Sequence, residues 1–118
     1  MSNVVVVMQP QHDTLPAEVS QALARLGAAF KTARLRRNLS QQAVAERVGC
    51  SRPTISAAEQ GDPGVALGTY MQMAWLYGLH TQWTEALQPD RDTVGLALER
   101  RAGRTRARSK QAPLDNDF

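Results

Sequence analysis

The sequence predicts an all-α fold: a compact domain of five short helices, flanked by an N-terminal arm and a flexible C-terminal tail. Three observations carry that expectation. Apolar residues recur at three- and four-residue spacing from Glu18 onward, the mark of helices with one buried face. Capping residues and glycines cut the same stretch into short pieces. Hydrophobic residues make up 42% of the 118, but aromatic ones only 5%. A chain of this length has room for one mostly aliphatic core plus tails.

The arm covers residues 1–17. Val4, Val5, Val6 and Val7 favour a strand that Pro10 would stop. A lone strand in a helical chain has no partner of its own, so this segment either pairs with its copy in a second subunit or is a disordered arm. The domain itself is expected over 18–88. Leu23, Leu26, Phe30 and Ala33 line one face of a first helix from Glu18 to Arg37, with Arg25, Lys31 and Arg36 facing elsewhere. Asn38 can end it in a left-handed conformation, and Leu39 then plugs the core. Ser40 caps a second helix that runs through Val48 until Gly49 breaks it. Ser51 caps a third, with Pro53 tolerated in the first turn, reaching Gln60.

Gly61-Asp62-Pro63-Gly64 is a loop by composition. A fourth helix over Thr69 to Leu79 places Tyr70, Met73, Ala74 and Tyr77 on one face. A fifth spans Thr81 to Leu87, and Pro89 closes it. The extension 89–118 holds a helical piece from Thr93 to Arg101, followed by a flexible tail from Gly103 to Phe118 that is basic and then acidic.

Charge points to a polyanion partner. The net charge is only +3, yet the isoelectric point is about 9.6. Of the 14 basic residues, 5 fall in Arg25 to Arg37 and 6 in Arg100 to Lys110. Blocks of this kind suit nucleic acid, although solvated helix faces and a soluble tail also account for them. The single cysteine, Cys50, excludes an internal disulfide framework and reads as a core residue in a reducing cytoplasm. The valine run is too short for a signal peptide and lacks preceding basic residues. No segment approaches the ~20 apolar residues of a membrane span. His12, His80 and Cys50 lack metal-ligand spacing, and no phosphate-binding glycine loop, paired carboxylates or nucleophile signature is visible. No enzyme activity, metal or cofactor is expected.

The informative stretch is Leu39 to Gly61. It joins two short helices through a tight turn at Gly49, sets small Ala45 at their crossing, and supplies Ile55 to lock the second onto the first. That is helix-turn-helix geometry, with the second helix free to enter a major groove. Leu39-Ser40-Gln41, Val44-Ala45, Gly49, Ser51, Thr54-Ile55-Ser56 and Glu59-x-Gly61 closely resemble the phage-repressor (Cro-type, or Xre) helix-turn-helix family. The likeness extends from Gly27 and Phe30 to Leu79. It implies a lambda-repressor-like domain that binds double-stranded operator DNA as a homodimer.

The resemblance also assigns roles. Gln41, at the start of the second helix, would hold a phosphate with its amide and the free backbone N–H groups. Arg52 would be the main base reader; a bidentate guanine contact is worth about 1–3 kcal/mol of discrimination, and a phosphate contact is the alternative. Thr54 and Ser56 would meet bases or phosphates, while Ser51 is a helix cap first and a phosphate donor second. The chain departs from the pattern at Pro53 and Ala57, which cannot hydrogen-bond a base but can pack on a thymine methyl. Readout by DNA shape then gains weight. Arg34 and Glu59 occupy the positions of a buried ion pair between the first and third helices, leaving Arg36 and Arg37 as the phosphate candidates.

Trp75 falls outside the core face of the fourth helix, which suits a subunit or partner contact, or else partial burial under the tail. Trp83 fits a core or a dimer role equally. Residues 61–69 and 94–101 resemble HipB-type antitoxins. That likeness implies a dimer that represses its own operon and restrains a HipA-like serine/threonine kinase toxin. The tail would then be open to proteases, and Arg104, Arg106, Arg108 and Lys110 could grip DNA or the partner. Two alternatives stand beside it: a stand-alone phage-type or restriction-controller repressor, and a protein–protein adaptor on a helix-turn-helix scaffold.

Overall fold

The computed structural model describes residues 14–109. Among them are six α-helices and no strand: α1 (Ala17–Arg36), α2 (Gln41–Val48), α3 (Arg52–Glu59), α4 (Leu67–Leu76), α5 (His80–Ala86) and α6 (Thr93–Ser109), with a 3-10 turn at Pro89–Arg91. The strand expected at Val4, Val5, Val6 and Val7 lies outside the described residues. Contacts divide the chain into two compact units, one ending at His80 and the other beginning at Thr81.

The first unit is built around side chains from α1 to α4. Phe30 and Ala33 of α1, Val44 and Ala45 of α2, Ile55 and Ala58 of α3, and Tyr70, Met73 and Ala74 of α4 are all buried. Tyr77, just past α4, joins them. The Phe30 ring lies 5.8 Å from that of Tyr70 and 6.4 Å from that of Tyr77, both tilted. These separations fall within the favourable range for aromatic pairs. A chain poor in aromatic residues thus gathers three of them into one cluster between its first and fourth helices.

Three of the helices stop in the same way. After α1, Asn38 adopts φ 54°, its N–H bonds Leu35 O, and the Leu39 N–H bonds Arg34 O. Gly61 after α3 and Gly78 after α4 repeat this pair of bonds, returning the last carbonyls to the chain. Gly78 therefore halts α4 at Leu76, three residues short of the expected Leu79, while the helix begins two residues early at Leu67. The early start follows from the turn Ala66 makes, with no side-chain cap to mark it.

Gly61 and Gly27 also set how closely α1 approaches the end of α3. A Cβ on Gly27 would stand 2.6 Å from Glu59 O and from Gly61 N. A Cβ on Gly61 would run into the Leu23 carbonyl and lie 2.7 Å from Ala24 N. Backbone meets backbone here, with no room for a side chain on either side.

The second unit contains the Pro89–Arg91 turn and α6. Asp92 begins the helix by accepting the Gly95 N–H on its side chain at 2.9 Å and the Leu96 N–H on its carbonyl at 2.9 Å. The flexible tail expected from Gly103 is corrected over its first part, because α6 continues without interruption to Ser109. Alanine and arginine, which favour helix, fill most of that stretch, and Gly103 alone does not end a helix already under way. Thr105 and Ser109 turn their hydroxyls back to the carbonyls of Arg101 and Thr105.

Candidate nucleic-acid interface

The pairing of α2 with α3 begins at their caps. Ser40 accepts the Ala43 N–H at 3.0 Å, and Ser51 accepts the Thr54 N–H at 3.3 Å while its hydroxyl meets that of Thr54 at 2.9 Å. Between the helices, Gly49 turns with φ 85°, and both its N–H and that of Cys50 reach Ala45 O. Ala45, Val44, Ile55 and Ala58 are then buried together. Cys50 is half-buried rather than fully in the core, and burial pushes its thiol pKa up, which suppresses the reactive thiolate.

One face of α3 is fixed by an ion pair. Arg34 donates from Nε to Glu59 Oε2 at 2.6 Å and from Nη2 to Glu59 Oε1 at 3.0 Å. Its Nη1 donates to Leu39 O at 2.9 Å. The side chains are only 9% and 3% exposed, so each charge depends on the other for the solvation it has lost. Hydrogen bonding to Glu59 raises the Arg34 pKa further above its ordinary value, against the effect of burial.

Gln41 enters the same network. Its Nε2 donates to Glu59 Oε1 at 3.0 Å, so one carboxylate ties α1, α2 and α3 together. The amide assigned to a phosphate is thereby oriented from behind, with its second N–H still free to donate. Arg37 is similarly engaged: Nη1 donates to Ala33 O at 2.9 Å, and Nη2 to Tyr77 O at 2.9 Å. Its guanidinium also lies 5.4 Å from the Tyr77 ring centroid. It therefore sits at the carbonyl ends of α1 and α4, where a cation is favoured. Arg36 is exposed and has no such tie.

The opposite face of α3 is open. Arg52 and Pro53 are exposed, and Thr54, Ser56 and Ala57 are half-buried. This leaves a guanidinium and a short hydroxyl-bearing turn facing outward from a helix whose other side is buried and tied by the Arg34–Glu59 pair. A rigid helix pair with its second member locked on one side and bare on the other defines a helix-turn-helix DNA-binding protein. The chain belongs to the helix-turn-helix domain family, whose sequence profile matches residues 25–87, just over half its length. No curated protein and no solved structure matches it.

Away from this face, Trp75 is 65% exposed and Leu67 67% exposed on the outer side of α4. Together with Met71 and His80, Trp75 lines a shallow groove. Trp83 is half-buried and in contact with other residues. Among the described residues no cluster of acidic, histidine and cysteine side chains could hold a metal ion, and no helix is long and apolar enough to cross a membrane. Sequence reasoning missed the helix-end role of Arg37 and the hold of Glu59 on Gln41. Neither has a local signal, since the partners are 40 and 18 residues away.

Proposed function

We propose that this protein is a cytoplasmic, homodimeric transcriptional repressor that reads an operator through the first turn of α3. The carrying observation is the exposed Arg52 on a helix fixed from behind by the Arg34–Glu59 pair. Arg52 reads a guanine edge, while Pro53, Thr54 and Ser56 contact neighbouring bases or phosphates. Ser51, Gln41 and Arg36 hold the backbone on either side. Arg37 contributes by fixing the ends of α1 and α4, with any phosphate contact secondary to that.

Fluorescence anisotropy against the protein's own upstream DNA tests this reading, with Arg52→Ala alongside. Specific binding by the wild type, and loss of preference over scrambled DNA in the variant, is the expected result. Equal preference in both proteins removes base readout by α3.

The finer reading is that of an antitoxin that also restrains a HipA-like kinase toxin. It rests on the HipB-type likeness of residues 61–69 and 94–101, and the exposed Trp75 favours a protein contact on α4, since desolvated tryptophan is a common anchor at interfaces. Co-purification with a kinase encoded beside it is the expected outcome. A chain that purifies alone from its native source, yet still represses, is a stand-alone regulator.

A further inference from the structure

Because α6 continues to Ser109, the arginines of the second basic block lie on a helix, where their spacing acquires a meaning it lacks in a flexible tail. Arg100, Arg104 and Arg108 are four residues apart and form one ridge, with Arg101 beside it. At 100° per residue these four arginines share an arc of about 100°, and Arg106 falls on the far side. All are exposed, and no acidic side chain among the described residues pairs with them.

Like charges at four-residue spacing oppose the helix that carries them. The helix dipole favours cations only in the last turn, so it accounts for Arg106 and Arg108 but not for Arg100, Arg101 and Arg104. Such a ridge keeps an unbalanced field that an external anion can neutralise. Its geometry suits a regular one: the arginines recur every ~6 Å along the axis, close to twice the ~3.4 Å rise per phosphate of a DNA strand. A membrane surface fits less well. From Ala102 to Ser109 the other side chains are alanine, glycine, threonine and serine, with nothing bulky to enter lipid. The large exposed apolar residues, Val94 and Leu98, come before the first arginine of the ridge.

We infer that the Arg100–Arg104–Arg108 ridge of α6, flanked by Arg101, is a second DNA-binding surface, one that grips the phosphate backbone. The inference rests on the proposal that this chain binds DNA. It adds a contact that carries affinity and no sequence information, because phosphates are alike at every step.

The test compares the full-length wild type with the triple variant R100Q/R104Q/R108Q. Both are titrated against the upstream DNA and a scrambled duplex between 50 and 200 mM salt. Glutamine keeps the helix propensity, and far-UV circular dichroism checks that helicity is retained. Losing three phosphate contacts should lower the slope of log affinity against log salt by about 2.7, so the wild type loses ~40-fold more affinity than the variant across that range. The ratio of upstream to scrambled affinity should stay constant, and R106Q should leave the slope unchanged.

Equal slopes for the wild type and the triple variant overturn the inference and leave the functional reading intact. So does a defect confined to phosphatidylserine vesicles, which would assign the ridge to membranes. A wild type that binds neither duplex overturns both readings.

Discussion

Replacing Gly27 with alanine tests the packing of α1 on α3 through the sign of the effect. In an ordinary helix interior, Gly→Ala stabilises by about 0.5–1 kcal/mol, because glycine loses more freedom on folding. At Gly27 the new Cβ would stand 2.6 Å from two backbone atoms and 2.8 Å from Ala58 O. Ordinary contact begins at 3.4 Å, so α1 must retreat by roughly 0.8 Å, or the end of α3 must. None of the three obstacles is a side chain that can rotate away. Overpacking of this kind costs about 1–3 kcal/mol, which outweighs the propensity gain and leaves about 0.5–2 kcal/mol of net destabilisation. For a domain of this size that is a fall in Tm of about 2–16 °C.

Gly68→Ala is the matched control, because no atom lies within 4 Å of a Cβ built there. It should leave Tm unchanged or raise it slightly. Thermal unfolding of both variants by circular dichroism decides the matter. A Gly27→Ala protein at least as stable as the wild type would refute the close approach of the two backbones.

Further outcomes follow from the same geometry. Arg34→Ala strands a buried Glu59 carboxylate and should cost about 3–5 kcal/mol; a variant with an unchanged Tm would remove the ion pair from the stability of the domain. Tyr77 is buried, its hydroxyl has no hydrogen-bond partner among the described residues, and burial pushes its pKa up to about 12. The folded state therefore favours the neutral phenol. The stability this gives is complete below the ordinary pKa near 10 and is lost as pH rises through about 12. Tyr77→Phe should abolish that alkaline loss while keeping or improving stability at neutral pH, as chemical denaturation across pH 8–12 would show. Ser51→Ala removes the cap of α3 and should cost about 1 kcal/mol, read as a shift in denaturation midpoint. Trp75→Ser should weaken self-association if α4 forms the subunit contact, and an unchanged sedimentation profile would exclude that role.

The elements most legible in the sequence were those marked by local chemistry. Ser40 and Ser51 announce the starts of α2 and α3, and Asn38 and Gly49 announce the ends of α1 and α2, because capping needs only the residue and its neighbours. Ala45 and Ile55 are readable as core from the helix-turn-helix pattern, which puts a small residue at the crossing and an apolar lock on the second helix. What escaped depended on partners distant in the chain. Arg37 looked like a free cation in a basic block, and only the fold brings Tyr77 O to it. The end of α6 is hidden from the sequence for another reason. Glycine and clustered charge after Arg101 resemble a tail by composition, while the Asp92 cap and the alanines sustain a helix through them.

The carboxylate of Glu59 has a consequence for how the protein meets DNA. It grips Gln41 at the start of one helix of the pair and, through Arg34, the scaffold behind the other. On the proposed reading, in which Gln41 anchors the backbone and α3 reads the groove, their separation is set before any duplex arrives, like the gap of a fixed caliper. Association in this unit then involves no coupled folding, and the heat-capacity change on binding should be that of two rigid surfaces losing water. A tool of fixed gap is also intolerant: a duplex whose groove width departs from it must itself deform, so sequence-dependent stiffness of the DNA becomes part of what this protein measures.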